Sequence, residues 1–135
     1  MSATRLNECR VPTARILAET KGLDVRVFGG LGGVFLLEEL MAGAAGAMTG
    51  FAFPAILVQI VGLYRVGKTD EAADVFYRKV PLKRVEFQEG IGMAIRKEVL
   101  RRRGAIAHAG IRPPGGVLDQ TTMAALERVM KWTLD

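Results

Sequence analysis

Between residues 25 and 50 the spacing of apolar side chains changes twice, and no other feature of the chain constrains its fold as much. Val25, Val27 and Gly29 alternate with Arg26 and Phe28, the period of two that marks a short strand rich in β-branched residues. From Val34 the period lengthens. Val34, Phe35, Leu36, Leu37, Leu40 and Met41 fall on neighbouring helical stripes, Glu38 and Glu39 share the remaining face, and Gly43 stops the helix. Residues 44–48 are small, apolar and uncharged, as suits a strand covered on both faces of a parallel sheet. Strand, glycine-rich turn, helix and strand together make one compressed βαβ unit.

Ligands of parallel sheets sit beyond the carboxyl ends of the strands, so residues 29–33 and 48–51 are expected to face one pocket. Gly29, Gly30, Leu31, Gly32 and Gly33 put four glycines into five positions. Without Cβ atoms, and with positive φ available, backbone N–H groups there can approach an anion such as a substrate carboxylate. A tight turn packed against a neighbour needs the same glycines. A dinucleotide fingerprint is excluded, because Phe35 stands where the third glycine belongs and no acidic residue follows ~20 positions on.

A chain of 135 residues, half of them hydrophobic, has material for one domain with a core. Its first ten residues are polar and mixed, with no basic-then-apolar leader, which makes a cytoplasmic setting the expectation. The single Cys9 has no internal disulfide partner and reads as a surface thiol. Residues 51–64 are strongly apolar but contain Pro54 and Gln59 and fall short of the ~20 residues of a membrane span, so they read as a buried helix and not as a membrane contact. The net charge of +5 raises nucleic acid as a partner, with Arg96, Lys97, Arg101, Arg102 and Arg103 as the patch. Their spacing argues against it. Ile91, Ala94, Ile95 and Val99 form an apolar stripe, Glu98 lies within a turn of Arg101 and Arg102, and no aromatic residue interleaves with the basic ones.

Elsewhere the chain reads as helix. Residues 11–20 form a helix with Pro12 in its first turn. Pro54 opens another that runs to about Val66, and Thr69 caps a third through about Lys79, where Pro81 breaks it. Residues 82–87 make a short helical piece, residues 89–103 a longer helix stopped by Gly104, and Asp119 caps a last helix reaching Trp132. Two parallel strands leave both outer edges unpaired, an arrangement expected to need further strands from elsewhere.

The run VFGGLGGVFLLEEL at residues 27–40, followed by GAAGAMTG at residues 43–50, resembles the seventh and eighth strand region of the dihydrodipicolinate synthase and N-acetylneuraminate lyase family. Lys97, Leu100 and Gly104, then Arg112 and Pro113 with Leu118, resemble that family's closing segment of helix, glycine stop, Arg-Pro loop and final helix. The likeness covers roughly residues 11–132. It implies an α/β fold, the last two strands of a (β/α)8 TIM barrel followed by carboxyl-terminal helices, against ~250 residues for a whole barrel. The divisions implied are a divergent segment at residues 1–10, partial barrel units at residues 11–66 and a helical extension at residues 67–135.

The resemblance further implies a Schiff-base-forming aldolase or lyase acting on pyruvate or a related 2-keto acid, with no metal or organic cofactor. Members use a lysine on the sixth strand and a proton-relaying tyrosine on the fifth. A lysine suits this work because its amine adds to a carbonyl and the protonated imine then accepts electrons. This chain has no lysine in residues 1–11, and Lys21 precedes the seventh strand, at the opposite end of a barrel. Lys68, Lys79, Lys83, Lys97 and Lys131 fall in helices or at their ends, where solvated charge is the expectation. Tyr64 and Tyr77 are helical too, and His108 lies in a loop without a matching carboxylate. No catalytic residue is therefore carried over.

The pocket wall is carried over. Gly46, Met48 and Thr49 match the eighth-strand segment that packs against bound keto acid, and Gly29, Gly30, Leu31 and Gly32 match another substrate-facing turn. Gly32 and Gly33 stand where many members carry polar or acidic residues, a departure from the synthase that uses aspartate semialdehyde. Met48 equally suits a core role. Alternatives to a catalytic wall are an interaction subunit whose strand edge pairs with a second copy or with a chain carrying the earlier strands, and a truncated reading frame.

Overall fold

The computed structural model describes residues 12–134. Cys9, the divergent first ten residues and the expected helix start at Val11 lie outside them.

Helix α1 (Pro12–Glu19) begins on a proline whose missing N–H costs nothing in a first turn. Strands β1 (Phe28–Gly29) and β2 (Gly46–Ala47) pair in parallel, Phe28 opposite Gly46 and Gly29 opposite Ala47. A 3₁₀ turn (Leu31–Gly33) and helix α2 (Leu36–Met41) make the crossover between them. The βαβ reading holds, with shorter strands than the alternation suggested. Val25 is exposed, and Met48, expected inside a strand covered on both faces, is 84% exposed at the end of β2.

Helix α3 (Pro54–Arg65) again opens on proline and closes at Gly67, whose φ of +79° only glycine adopts freely. It is buried along one face alone: Ile60 is enclosed while Val58 is exposed, which corrects the expectation of a wholly buried helix. Helix α4 (Thr69–Glu86) contains two further corrections. Lys68, not Thr69, occupies the cap position, without a side-chain cap bond. Pro81 does not break the helix, which runs through it to Glu86. The missing N–H forfeits one ladder bond, and the fully buried Phe76 before it and Leu82 after it hold both halves in line. Helix α5 (Gly92–Arg102) starts three residues later than expected, and α6 (Gln120–Leu134) starts where Asp119 Oδ1 accepts the Thr122 N–H at 2.7 Å, the cap read from the sequence.

Two apolar clusters hold these elements. The first joins Leu36, Leu37 and Leu40 of α2 with Ile60 of α3 and Ala72 and Phe76 of α4. The second joins Phe51 and Ala52 with Leu82 of α4, Ile95 and Val99 of α5 and Leu126 of α6. The expected boundary at residues 66 and 67 falls in the turn between α3 and α4, across which the first cluster is continuous. Among the described residues no helix is long and apolar enough to cross a membrane.

Candidate functional site

Parallel pairing brings the two glycine-containing segments together at the carboxyl ends of β1 and β2. The Met48 N–H donates to the Gly29 carbonyl at 2.9 Å, one residue beyond the last strand pair. On the other side of the turn, a Cβ at Gly33 would lie 3.7 Å from Thr49 Cγ2 and 3.1 Å from Leu57 Cδ2. Gly29 thus meets Met48 and Gly33 meets Thr49, whereas a Cβ on Gly30 would find open space and one on Gly32 would face the Phe87 ring at 3.3 Å.

The turn is built on successive left-handed residues: Leu31 at φ 50°, Gly32 at 66° and Gly33 at 70°. Glycine adopts this region freely, but a leucine there stores strain of ~1 kcal/mol or more. Gly32 and Gly33 are buried, whereas the Leu31 side chain is 53% exposed. The strained Leu31 thus presents an apolar side chain outward.

Glu39 reaches back from α2 into this turn. Its Oε2 is 1.7 Å from the position a Cβ on Gly29 would take. Burial pushes the Glu39 carboxyl up from the usual carboxylate range, a hydrogen bond from the Gly30 backbone opposes that, and neighbouring Glu38 adds to it. A carboxylate of the chain itself thus sits against the backbone where the sequence suggested an anion.

Beneath both segments lie charged groups that the sequence reading left in solvent. Lys83 is fully buried, a correction to the expected solvated lysine. Its Nζ donates to the Gly33 carbonyl at 3.3 Å and sits 4.3 Å from the Phe76 ring centre and 5.8 Å from that of Phe51. Burial lowers its pKa to about 8, with the Glu38 charge pulling the other way. At 0% exposed, the amine is enclosed between a backbone carbonyl and two aromatic rings. Lys79 and Lys97 are partly buried and bond to the carbonyls of Thr133 and Gly110.

One turn further along α4, Glu86 is 2% exposed and its Oε2 accepts the Ala52 N–H at 2.9 Å. Burial raises its pKa, against the Ala52 bond and the Arg96 guanidinium, whose Nε is 3.6 Å away. Arg103 donates to the Ala52 carbonyl and stacks over the Phe53 ring at 4.4 Å. The remaining basic residues of α5 behave as its spacing indicated: Arg101 and Arg102 each bond Glu98 at 2.8 Å. Glu98 itself, however, is 5% exposed. His108 is exposed, and Tyr64 and Tyr77 lie on α3 and α4 as expected. Among the described residues no cluster of three His, Cys, Asp or Glu side chains could hold a metal ion.

A signal for Lys83 and Glu86 was present. Ala72, Phe76, Lys83 and Glu86 are spaced four, seven and three residues apart on one stripe of α4, so two ionisable groups continue an apolar line. Nothing in the spacing of Glu39 or Arg103 pointed to their contacts.

No family model matches the chain. The curated L-2-keto-3-deoxyarabonate dehydratase of Azospirillum brasilense is 36% identical over 93 residues, which are 69% of this chain and 30% of that protein. The crystal structure of dihydrodipicolinate synthase from Rhodopseudomonas palustris superposes with a TM-score of 0.81 at 36% identity, over 87% of this chain and 40% of that one. Over this span the chain is similar to part of the dihydrodipicolinate synthase and N-acetylneuraminate lyase family. A monomeric dihydrodipicolinate synthase variant shares the fold, with a TM-score of 0.77 at 22% identity, over 89% of this chain and 40% of its own. The chain thus spans well under half the length of these family members.

Proposed function

We propose that this chain supplies the carboxyl-terminal wall of a pyruvate-like 2-keto acid site in a cytoplasmic Schiff-base aldolase or lyase of the family, and that it has no lyase turnover alone. The observation that carries this reading is the Met48 to Gly29 hydrogen bond, which joins the two segments that match the family's substrate-facing turns. Met48 and Leu31 give such a site exposed apolar contacts, and the backbone of residues 46–49 gives it polar ones. The curated relative is named as a dehydratase of a 2-keto-3-deoxy sugar acid, which favours carbon–oxygen bond cleavage over carbon–carbon condensation as the chemistry served. Lys83 does not replace the missing nucleophile, because its amine is enclosed. Without a lysine in residues 29–33 or 46–51 this wall has no covalent route of its own. Borohydride reduction of the chain with labelled pyruvate is expected to leave it unlabelled; covalent label recovered on any lysine would overturn the reading of an inactive wall.

A second reading is an assembly subunit. Phe28, Leu31 and Phe35 are each at least half exposed, and β1 and β2 pair only with each other among the described residues. Open strand edges and apolar side chains of this size favour pairing with a second copy or with a chain that carries further strands. Analytical ultracentrifugation separates the cases: a defined dimer or larger assembly supports this reading, and a cooperatively folded monomer at micromolar concentration counts against it.

A further inference from the structure

Residues 48–53 connect β2 to α3 without regular structure, so their backbone groups depend on partners from elsewhere. Ala52 is 0% exposed, and both of its backbone groups are taken by side chains: Glu86 of α4 accepts its N–H, and Arg103 at the end of α5 donates to its carbonyl. Arg96 closes the same side, its Nη1 2.7 Å from the place a Cβ on Gly50 would occupy. The segment is therefore gripped from below by two helices while Met48 stands exposed at its start.

Packing does not require these groups. A buried carboxylate costs stability, and an apolar side chain of like volume would fill the space more cheaply. Glu86 Oε1 moreover has no hydrogen-bond partner. What the carboxylate adds is one charge-assisted acceptor aimed at one N–H, stronger and more directional than a neutral contact. Arg103 adds the complementary donor and a flat face against Phe53.

We propose that Glu86 and Arg103 are positioning residues that fix Met48 and Thr49 for contact with a 2-keto acid, by holding Ala52 at both of its backbone groups. This rests on the reading of residues 46–49 as a substrate wall. Neither residue touches the ligand; both act through the backbone four residues on from Met48.

The test uses the full chain labelled with ¹³C at methionine methyls and ¹⁵N at amides. Wild type and Glu86→Gln, whose amide oxygen still accepts the Ala52 N–H, are expected to show one sharp Met48 methyl signal and one set of amides for residues 46–50. Glu86→Leu is expected to split or broaden those signals while the thermal midpoint holds or rises, which a merely structural role would not produce. Pyruvate titration should give at least tenfold weaker binding for Glu86→Leu and recovery in Glu86→Gln. Signals of residues 46–50 unchanged in Glu86→Leu would overturn the proposal. If that variant does not fold, Arg103→Met decides by the same criterion, since it frees the Ala52 carbonyl and keeps Glu86. If wild type shows no response to pyruvate, the keto acid reading fails by itself, and the Met48 signal still decides whether the segment is held by Glu86 and Arg103.

Discussion

Glu39 Oε2 occupies the space that a Cβ on Gly29 would need, at 1.7 Å from it. The glycine is thus matched to a carboxyl ten residues later in the chain. Gly29→Ala is expected to evict that carboxyl toward solvent, costing about 1 kcal/mol for the lost backbone bond. Released from burial, Glu39 should return toward the ordinary carboxylate pKa from its raised value. Urea denaturation and a ¹³C carboxyl titration check both parts. Adding Gly29→Ala to Glu39→Ala should cost little more, because the carboxyl that blocks the methyl is gone.

Replacing Lys83 by methionine should leave stability at neutral pH unchanged or raise it by ~1–4 kcal/mol, since burying its ammonium opposes folding. The folded-state pKa of about 8 lies below the ordinary 10.5, so between those values the unfolded chain binds more protons. Wild-type stability should therefore rise with pH across that window, and Lys83→Met should lack this contribution. Paired chemical denaturation curves at pH 7 and pH 10 test it; a parallel rise in both proteins would contradict the burial argument.

The Glu98 carboxyl is held down to about 2 from an ordinary 4.5, first by hydrogen bonding to Arg101, against burial, and further by Arg102. Its contribution to stability is fully present above pH 4.5 and is lost as pH falls through about 2. Glu98→Gln should be less stable than wild type at pH 7, and the gap should narrow in that acid window. Thermal melts at pH 7, 4 and 2.5 would show it.

Glu86 titrates with the opposite sign. Its folded-state pKa is raised, so its burial cost appears as pH rises from about 4.5 through the folded value and persists above it. Glu86→Gln should match or exceed wild-type stability at pH 7 and lose that advantage at pH 4, read from the same melts.

The crossover between the strands was legible because apolar period and glycine placement both changed at residues 29–33. The length of the strands was not. Alternation records which way side chains point and says nothing about how many residues find a ladder partner, and here only Phe28 and Gly29 do so. Pro81 misled for a related reason: local propensity ends a helix there, whereas Phe76 and Leu82 anchor it in two cores that no local window contains. The pairing of the two glycine-containing segments was legible in the sequence, but the charges beneath them were not. Lysine and glutamate in a helix are mostly solvated, and only the stripe shared by Phe76, Lys83 and Glu86 set these two apart.

Because α4 threads both apolar clusters, with Ala72 and Phe76 in one and Leu82 in the other, the loss of either would unmoor the helix on which the other depends. The two clusters then behave as one cooperative unit. Their amides should exchange with solvent through a shared opening event, so a substitution in the cluster beside the strands should accelerate exchange at Ile95 and Val99, far from it in sequence.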